Sequence, residues 1–129
     1  MEGPHRRRVL VVEDRSDVRA LLLDVLALID CEVDESADGS EGLARFSERP
    51  YDVVVTDLLM PGMTGWELTE AIRRKSPEVP VILVSGSATE DDIDRARAEG
   101  FVLLRKPIAI AEFIGVVQRF LDNTAPAVP

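Results

Sequence analysis

The sequence predicts an α/β fold in which a parallel five-stranded sheet is sandwiched between helices, and three observations predict it. Four short runs, Val9–Val12, Val53–Val55, Val81–Val84 and Phe101–Leu104, are continuously apolar, the pattern of strands buried on both faces. Segments with apolar residues at three- and four-residue spacing separate the strands, which recur at intervals of roughly 20 to 28 residues. Helical crossovers between strands imply parallel pairing, with helices covering the sheet in a three-layer sandwich. At 129 residues the chain fits one domain and can bury a proper core.

Each element has its own signal. Val9–Val12 ends at Glu13-Asp14. Ser16 is placed to cap the helix that follows, with Asp17 in its first turn favourable to the dipole. Val18, Leu21, Leu22, Val25, Leu26 and Ile29 make its apolar stripe, and Leu23 and Leu28 off that stripe predict cover on more than one side. Cys31–Ala37 alternates in part and reads as a short strand near a sheet edge. Asp38-Gly39 marks a turn, and Ser40–Glu48 a helix with Leu43, Ala44 and Phe46 inward, closed by Pro50.

Asp52–Thr56 is the third strand; it stops at Asp57, and Met60-Pro61-Gly62 turns the chain. A helix over Gly65–Lys75 carries Leu68, Ala71 and Ile72 inward. Pro77 and Pro80 bracket the link to Val81–Val84, which ends in Ser85-Gly86-Ser87. Thr89 with Asp92 three residues later resembles a capping box, and the mostly charged helix that follows stops at Gly100. Phe101–Leu104 leads into Arg105-Lys106-Pro107. The last helix, Ala109–Asp122, packs Ile110, Phe113, Ile114, Val117 and Leu121.

Composition narrows the function classes. The net charge of −9 argues against a nucleic-acid surface, which requires a basic face. No apolar run approaches the roughly 20 residues of a membrane span. The basic start at Arg6-Arg7-Arg8 lacks the apolar length and cleavage site of a signal peptide. A single Cys31 excludes an internal disulfide, suits a reducing cytoplasm and reads as a packing residue. Lys75 and Lys106 are the only lysines, so a lysine with a chemical role has few candidates.

In open α/β sheets ligand chemistry sits at the carboxyl ends of the strands. Alone, Asp57 is a turn former, Glu13-Asp14 a helix N-terminal acid pair, Ser85 a loop residue and Lys106 a solvated charge. Together the strand ends deliver all of them to one sheet edge. Clustered carboxylates repel unless a cation joins them, and a hard divalent ion with oxygen ligands, Mg²⁺ above all, meets that need. Lysine supplies a compact point charge, serine a hydrogen bond to a phosphoryl oxygen, and Gly86 a close backbone approach. The set suggests phosphoryl transfer onto a carboxylate.

Val9–Asp14, the stretch from Val53 to Gly65, Val81–Ser85 and Lys106-Pro107 resemble the receiver domain of bacterial two-component response regulators. The resemblance implies a flavodoxin-like (βα)5 sandwich with strand order 2-1-3-4-5, a receiver domain over residues 1–122 and a flexible tail or linker over 123–129. It implies that Asp57 accepts a phosphoryl group from a phosphohistidine of a sensor histidine kinase or histidine phosphotransfer protein. Asp14 would ligate Mg²⁺ (or Mn²⁺) directly and Glu13 through water, with Asp57 and the Leu59 backbone carbonyl completing the protein ligands. Lys106 would pair with the acceptor and then the phosphate, Ser85 would act as the switch, and the backbone at Leu58 and Gly86 would hold phosphate oxygens. Lys106-Pro107 would be cis. Such a module is no enzyme in its own right, although it catalyses its own aspartyl phosphorylation and slow dephosphorylation. Its output would be a change, or a homodimer, on the face built from the fourth helix, fifth strand and fifth helix.

Two departures from the family pattern stand out. Ser85 replaces a frequent Thr and keeps the hydroxyl. Leu103 stands where Tyr or Phe usually precedes the lysine by three residues, and the segment from Gly100 to Lys106 is about one residue short; Phe101 is the candidate to fill the aromatic's space. Trp66 reads as a packing residue near Asp57. Rival readings are a phosphorelay shuttle, the receiver segment of a hybrid kinase, a docking scaffold without phosphorylation, and a dehalogenase-like phosphatase. The last places a second acid where this chain has Leu59.

Overall fold

A computed structural model describes residues 6–123. Five strands and five helices alternate: β1 (Arg8–Val12), α1 (Ser16–Leu26), β2 (Glu32–Ser36), α2 (Gly39–Glu48), β3 (Val53–Asp57), α3 (Gly65–Lys75), β4 (Val81–Ser85), α4 (Glu90–Glu99), β5 (Val102–Arg105) and α5 (Ile110–Asn123). All strand pairs are parallel and the order is β2-β1-β3-β4-β5. The expected architecture and strand order are what the structure has. The tail expected over 123–129 lies outside the described residues apart from Asn123, which ends α5.

The side-chain period of two splits each strand between two cores. Val9, Val11, Val53, Val55, Ile82 and Val84 face one layer, where Leu22 and Leu26 of α1 meet Phe113 and Val117 of α5. Leu10, Val12, Val54, Val81 and Leu83 face the other, against Phe46 of α2, Leu68 and Ile72 of α3 and Ala96 of α4. β3 and β4 are buried throughout, whereas β2 and β5 at the sheet edges are only partly covered. Cys31 is buried, as a packing residue should be, and its thiol points at the Leu26 carbonyl. The Lys106-Pro107 peptide is cis.

Several local expectations are corrected. Ser16 does not cap α1: it is the first helical residue, and Arg15 holds the cap position without a side-chain bond. The Arg15 N–H donates instead to the Glu13 carboxylate at 3.2 Å. Asp38, taken as a turn residue, is the cap of α2 and accepts from the Glu41 N–H. Off the α1 stripe, Leu23 is half-buried as expected, but α1 ends at Leu26 and leaves Leu28 77% exposed; Leu21, on the stripe, is also exposed. Ile110 is also largely exposed, because it opens α5 at the rim of the core. β5 begins at Val102, one residue later than expected, since Phe101 still belongs to the end of α4. Gly100 is left-handed at φ 80 and the Phe101 N–H donates back to the Ala96 carbonyl, a helix-ending motif that glycine adopts without strain. The Thr89–Asp92 capping box is present as expected.

Candidate phosphoacceptor site

Register brings the strand ends together: Val12 lies opposite Thr56, Asp57 opposite Val84, and Ser85 opposite Arg105. Glu13 follows β1, Asp57 ends β3, Ser85 ends β4 and Lys106 follows β5. Lys106 Nζ sits 2.9 Å from Asp57 Oδ2 and 3.0 Å from Glu13 Oε1. One carboxylate oxygen each from Glu13, Asp14 and Asp57 lie within 4.8 Å of one another. Glu13 is fully buried and Asp57 nearly so, while Asp14 is partly exposed.

Three carboxylates cluster around one ammonium, which pairs with Glu13 and Asp57. Burial pushes Glu13 up to about 7; the neighbouring Asp57 adds to the rise, against the Lys106 ammonium and the Arg15 N–H, which lower it. Burial alone would depress Lys106, but its bond to Asp57 and its ion pair with Glu13 outweigh that and hold it above its usual value. Glu13 Oε1 has the Lys106 charge beside it yet no hydrogen bond of acceptable geometry. A buried carboxylate oxygen without a donor, in an all-oxygen cluster, is what a hard divalent cation would satisfy. The residues present therefore fit Mg²⁺.

Ser85 is buried, its Oγ accepting the Ser87 N–H at 3.1 Å while its carbonyl accepts the Lys106 N–H at 2.9 Å. Gly86 is exposed beside Lys106; a Cβ there would meet the lysine stem at 3.8 Å, an ordinary contact. Leu58 is corrected as a phosphate-binding amide: its N–H donates to the Val84 carbonyl at 2.9 Å and is consumed by the sheet. The amide that faces the Asp57 carboxylate is that of Leu59, which donates to Oδ1 at 3.3 Å. The Leu59 side chain is 59% exposed beside the site.

Leu103 lies on β5 opposite Leu83, partly covered, and lines a groove of about 330 Å³ with Ile93, Arg105, Pro107 and Glu112. Phe101 does not replace the aromatic there. It lies below the strand's first residue, Val102, which is level with Ile82, and packs on Trp66 and Arg73 in the seam between α3 and α4. Gly65 was missed as a positioning residue. A Cβ there would collide with the Asp57 carbonyl oxygen, so only glycine lets α3 start against the Asp57 backbone. A glycine opening a capped helix after Asp57 was the available signal.

The family model described as response regulator receiver domain matches residues 9–118. Transcriptional regulatory protein PrrA of Mycobacterium leprae is 36% identical over 120 residues, covering 92% of this chain and 52% of that protein. Sensor protein EvgS of Escherichia coli K12 is 32% identical over 108 residues, 83% of this chain and 9% of that protein. The chain thus spans about half the length of the regulator it matches and a small part of the sensor. The crystal structure of chemotaxis protein CheY4 of Vibrio cholerae is similar with a TM-score of 0.81 at 29% identity, over 89% of this chain and 98% of that one.

Proposed function

The chain belongs to the response regulator receiver domain family of two-component signalling, and we propose that Asp57 is its phosphoacceptor. The observation that carries this is the Asp57–Lys106 ion pair inside a three-carboxylate cluster at the carboxyl edge of the sheet. The donor is a phosphohistidine on a sensor histidine kinase or histidine phosphotransfer protein. An Asp57 carboxylate oxygen attacks phosphorus, the phosphorus–nitrogen bond breaks, and its electron pair returns to the imidazole. Lys106 first holds the carboxylate and then pairs with a phosphoryl oxygen, joined by the Leu59 and Gly86 amides and the Ser85 hydroxyl. Glu13, Asp14, Asp57 and the Leu59 carbonyl would hold Mg²⁺, which when bound neutralises charge on the transferring group. The domain works in the cytoplasm, binds no nucleic acid itself, and signals through the face of α4, β5 and α5, where a second copy can pair.

Intact-mass measurement after acetyl phosphate and Mg²⁺ treatment is expected to add one acid-labile phosphate to wild type and none to Asp57→Asn. Modification of the mutant at the wild-type rate would refute the assignment. The match to a sensor protein as well as a regulator favours, as a second reading, a receiver segment or phosphorelay shuttle within a longer system. Nothing among the matches supports the dehalogenase-like phosphatase.

A further inference from the structure

α4 is the helix least anchored by apolar burial: Ala96 is its one buried residue, whereas α1, α3 and α5 bury Leu, Ile, Val or Phe side chains. Polar and ring contacts to α3 hold it instead. Asp92 does two jobs. Its Oδ2 accepts the Thr89 N–H at 2.9 Å and closes the α4 cap, while its Oδ1 accepts the Trp66 indole N–H at 3.1 Å. One turn on, the Arg95 guanidinium lies 4.1 Å above the Trp66 ring and reaches Glu70 of α3 and Glu99 of α4, each at 2.7 Å. Below Trp66 the contacts continue through Phe101, its ring tilted at 6.2 Å, to Arg73, at 4.5 Å from the Phe101 ring.

This bracket joins the two loops that border Asp57. Trp66 follows Gly65, which is seated on the Asp57 carbonyl. Asp92 lies in the first turn of α4, a short loop beyond Ser85, whose Oγ accepts the Ser87 N–H within that loop. We propose that the bracket of Trp66, Asp92 and Arg95 sets the position of α4, and that it is the contact broken when Ser85 is drawn toward a phosphoryl group on Asp57. The second clause rests on the phosphoacceptor reading; the first does not. Movement of Ser85 carries the Ser87 N–H with it and pulls the cap of α4 away from Trp66. With Leu103 offering no ring to swing, the aromatic that senses the switch is then on α3.

The first test uses unphosphorylated protein without added metal and reads hydrogen exchange of the α4 amides. Each exposed pair or cation–π contact is worth a factor of about two to five, so Arg95→Gln and Trp66→Phe are expected to speed exchange roughly tenfold. Glu99→Gln removes the pair within α4 and a longer-range attraction to Arg73, keeps the Arg95 contacts to Glu70 and Trp66, and is expected to leave exchange within about twofold of wild type. Wild-type protection in Arg95→Gln, or equal loss in Glu99→Gln, would overturn the bracket. The second test adds acetyl phosphate and Mg²⁺ to wild type, with intact mass read on the same sample. One phosphate with α4 exchange raised to the Arg95→Gln level supports release. One phosphate with α4 still protected overturns release and leaves the phosphoacceptor reading intact. Absence of phosphate overturns that reading, and with it release, while the first test still judges the bracket.

Discussion

Glu13→Gln should stabilise the metal-free protein at pH 8 and leave it nearly unchanged near pH 4.5. Glu13 is fully buried, and its carboxyl is pushed from 4.5 to about 7, first by burial and then by Asp57, despite the opposing Lys106 ammonium. A carboxyl whose folded value lies above its unfolded value holds its proton more tightly in the folded state. Stability from this group is therefore intact below 4.5, falls as pH rises from 4.5 to about 7, and stays reduced above that. At about 1.4 kcal/mol per pH unit the separation amounts to about 3 kcal/mol. Glutamine has nearly the same shape and cannot ionise, so it escapes the loss. For a domain of this size that is a rise in Tm of roughly 10 °C at pH 8.

The assay is thermal unfolding followed by circular dichroism, in EDTA, at several pH values from 4.5 to 8.5. A ligand at a hundred times its Kd contributes about 2.7 kcal/mol, enough to offset most of the wild-type loss. Added Mg²⁺ should accordingly restore wild type more than Glu13→Gln, since the mutant offers a poorer oxygen. A mutant no more stable than wild type at pH 8, or one favoured equally at both ends of the range, would refute the reasoning.

Three further outcomes are expected. Gly65→Ala places a Cβ 2.8 Å from the Leu58 Cα as well as against the Asp57 carbonyl, and should lower stability by about 1–3 kcal/mol in urea unfolding and slow acetyl phosphate labelling. Leu59→Asn puts a polar group that can orient water beside the acceptor, and should shorten the lifetime of the phosphorylated form several-fold; an equal or longer lifetime would count against that. Leu103→Tyr should change phosphorylation-dependent dimerisation more than Phe101→Leu, which should mainly lower stability by about 1 kcal/mol; loss of the response in Phe101→Leu alone would make Phe101 the switch residue.

The fold was legible because its signals are local. Three consecutive β-branched residues, Val53-Val54-Val55, read as a strand buried on both faces, and Thr89 with Asp92 carries its own cap. The site was legible for a related reason: four strand ends carry four chemically distinctive residue types, and parallel topology brings strand ends together whatever the loops do. What was missed depends on backbone direction or on distant partners. Whether the Leu58 or the Leu59 amide faces Asp57 follows from the pleat, and the ladder takes the first. Trp66 and Asp92 are 26 residues apart, and nothing in either local pattern announces their bond. Ser16 looked like a cap because serine favours that position, but the chain enters α1 one residue earlier and the helix start is held from Glu13 instead.

Phe101 shows how a short link changes what an aromatic does. Were β5 extended back to it, Phe101 would stand level with Val81, two residues short of Leu83 and far from Ser85. Gly100 in the left-handed conformation turns the chain at the end of α4, and the Phe101 N–H is committed to the Ala96 carbonyl. The ring is thereby delivered to the seam between α3 and α4, where Trp66 and Arg73 hold it. Leu103 is left at the position nearer the switch, in a groove it does not fill. A signal shifts an equilibrium only by its differential interaction with the two states. A leucine that changes little between positions contributes little to that difference, whereas a seam of two rings and two guanidiniums, opened or closed, contributes more. If α4 is released as proposed, the coupling between Ser85 and the outer surface of α4 runs chiefly through the α3 side of the helix.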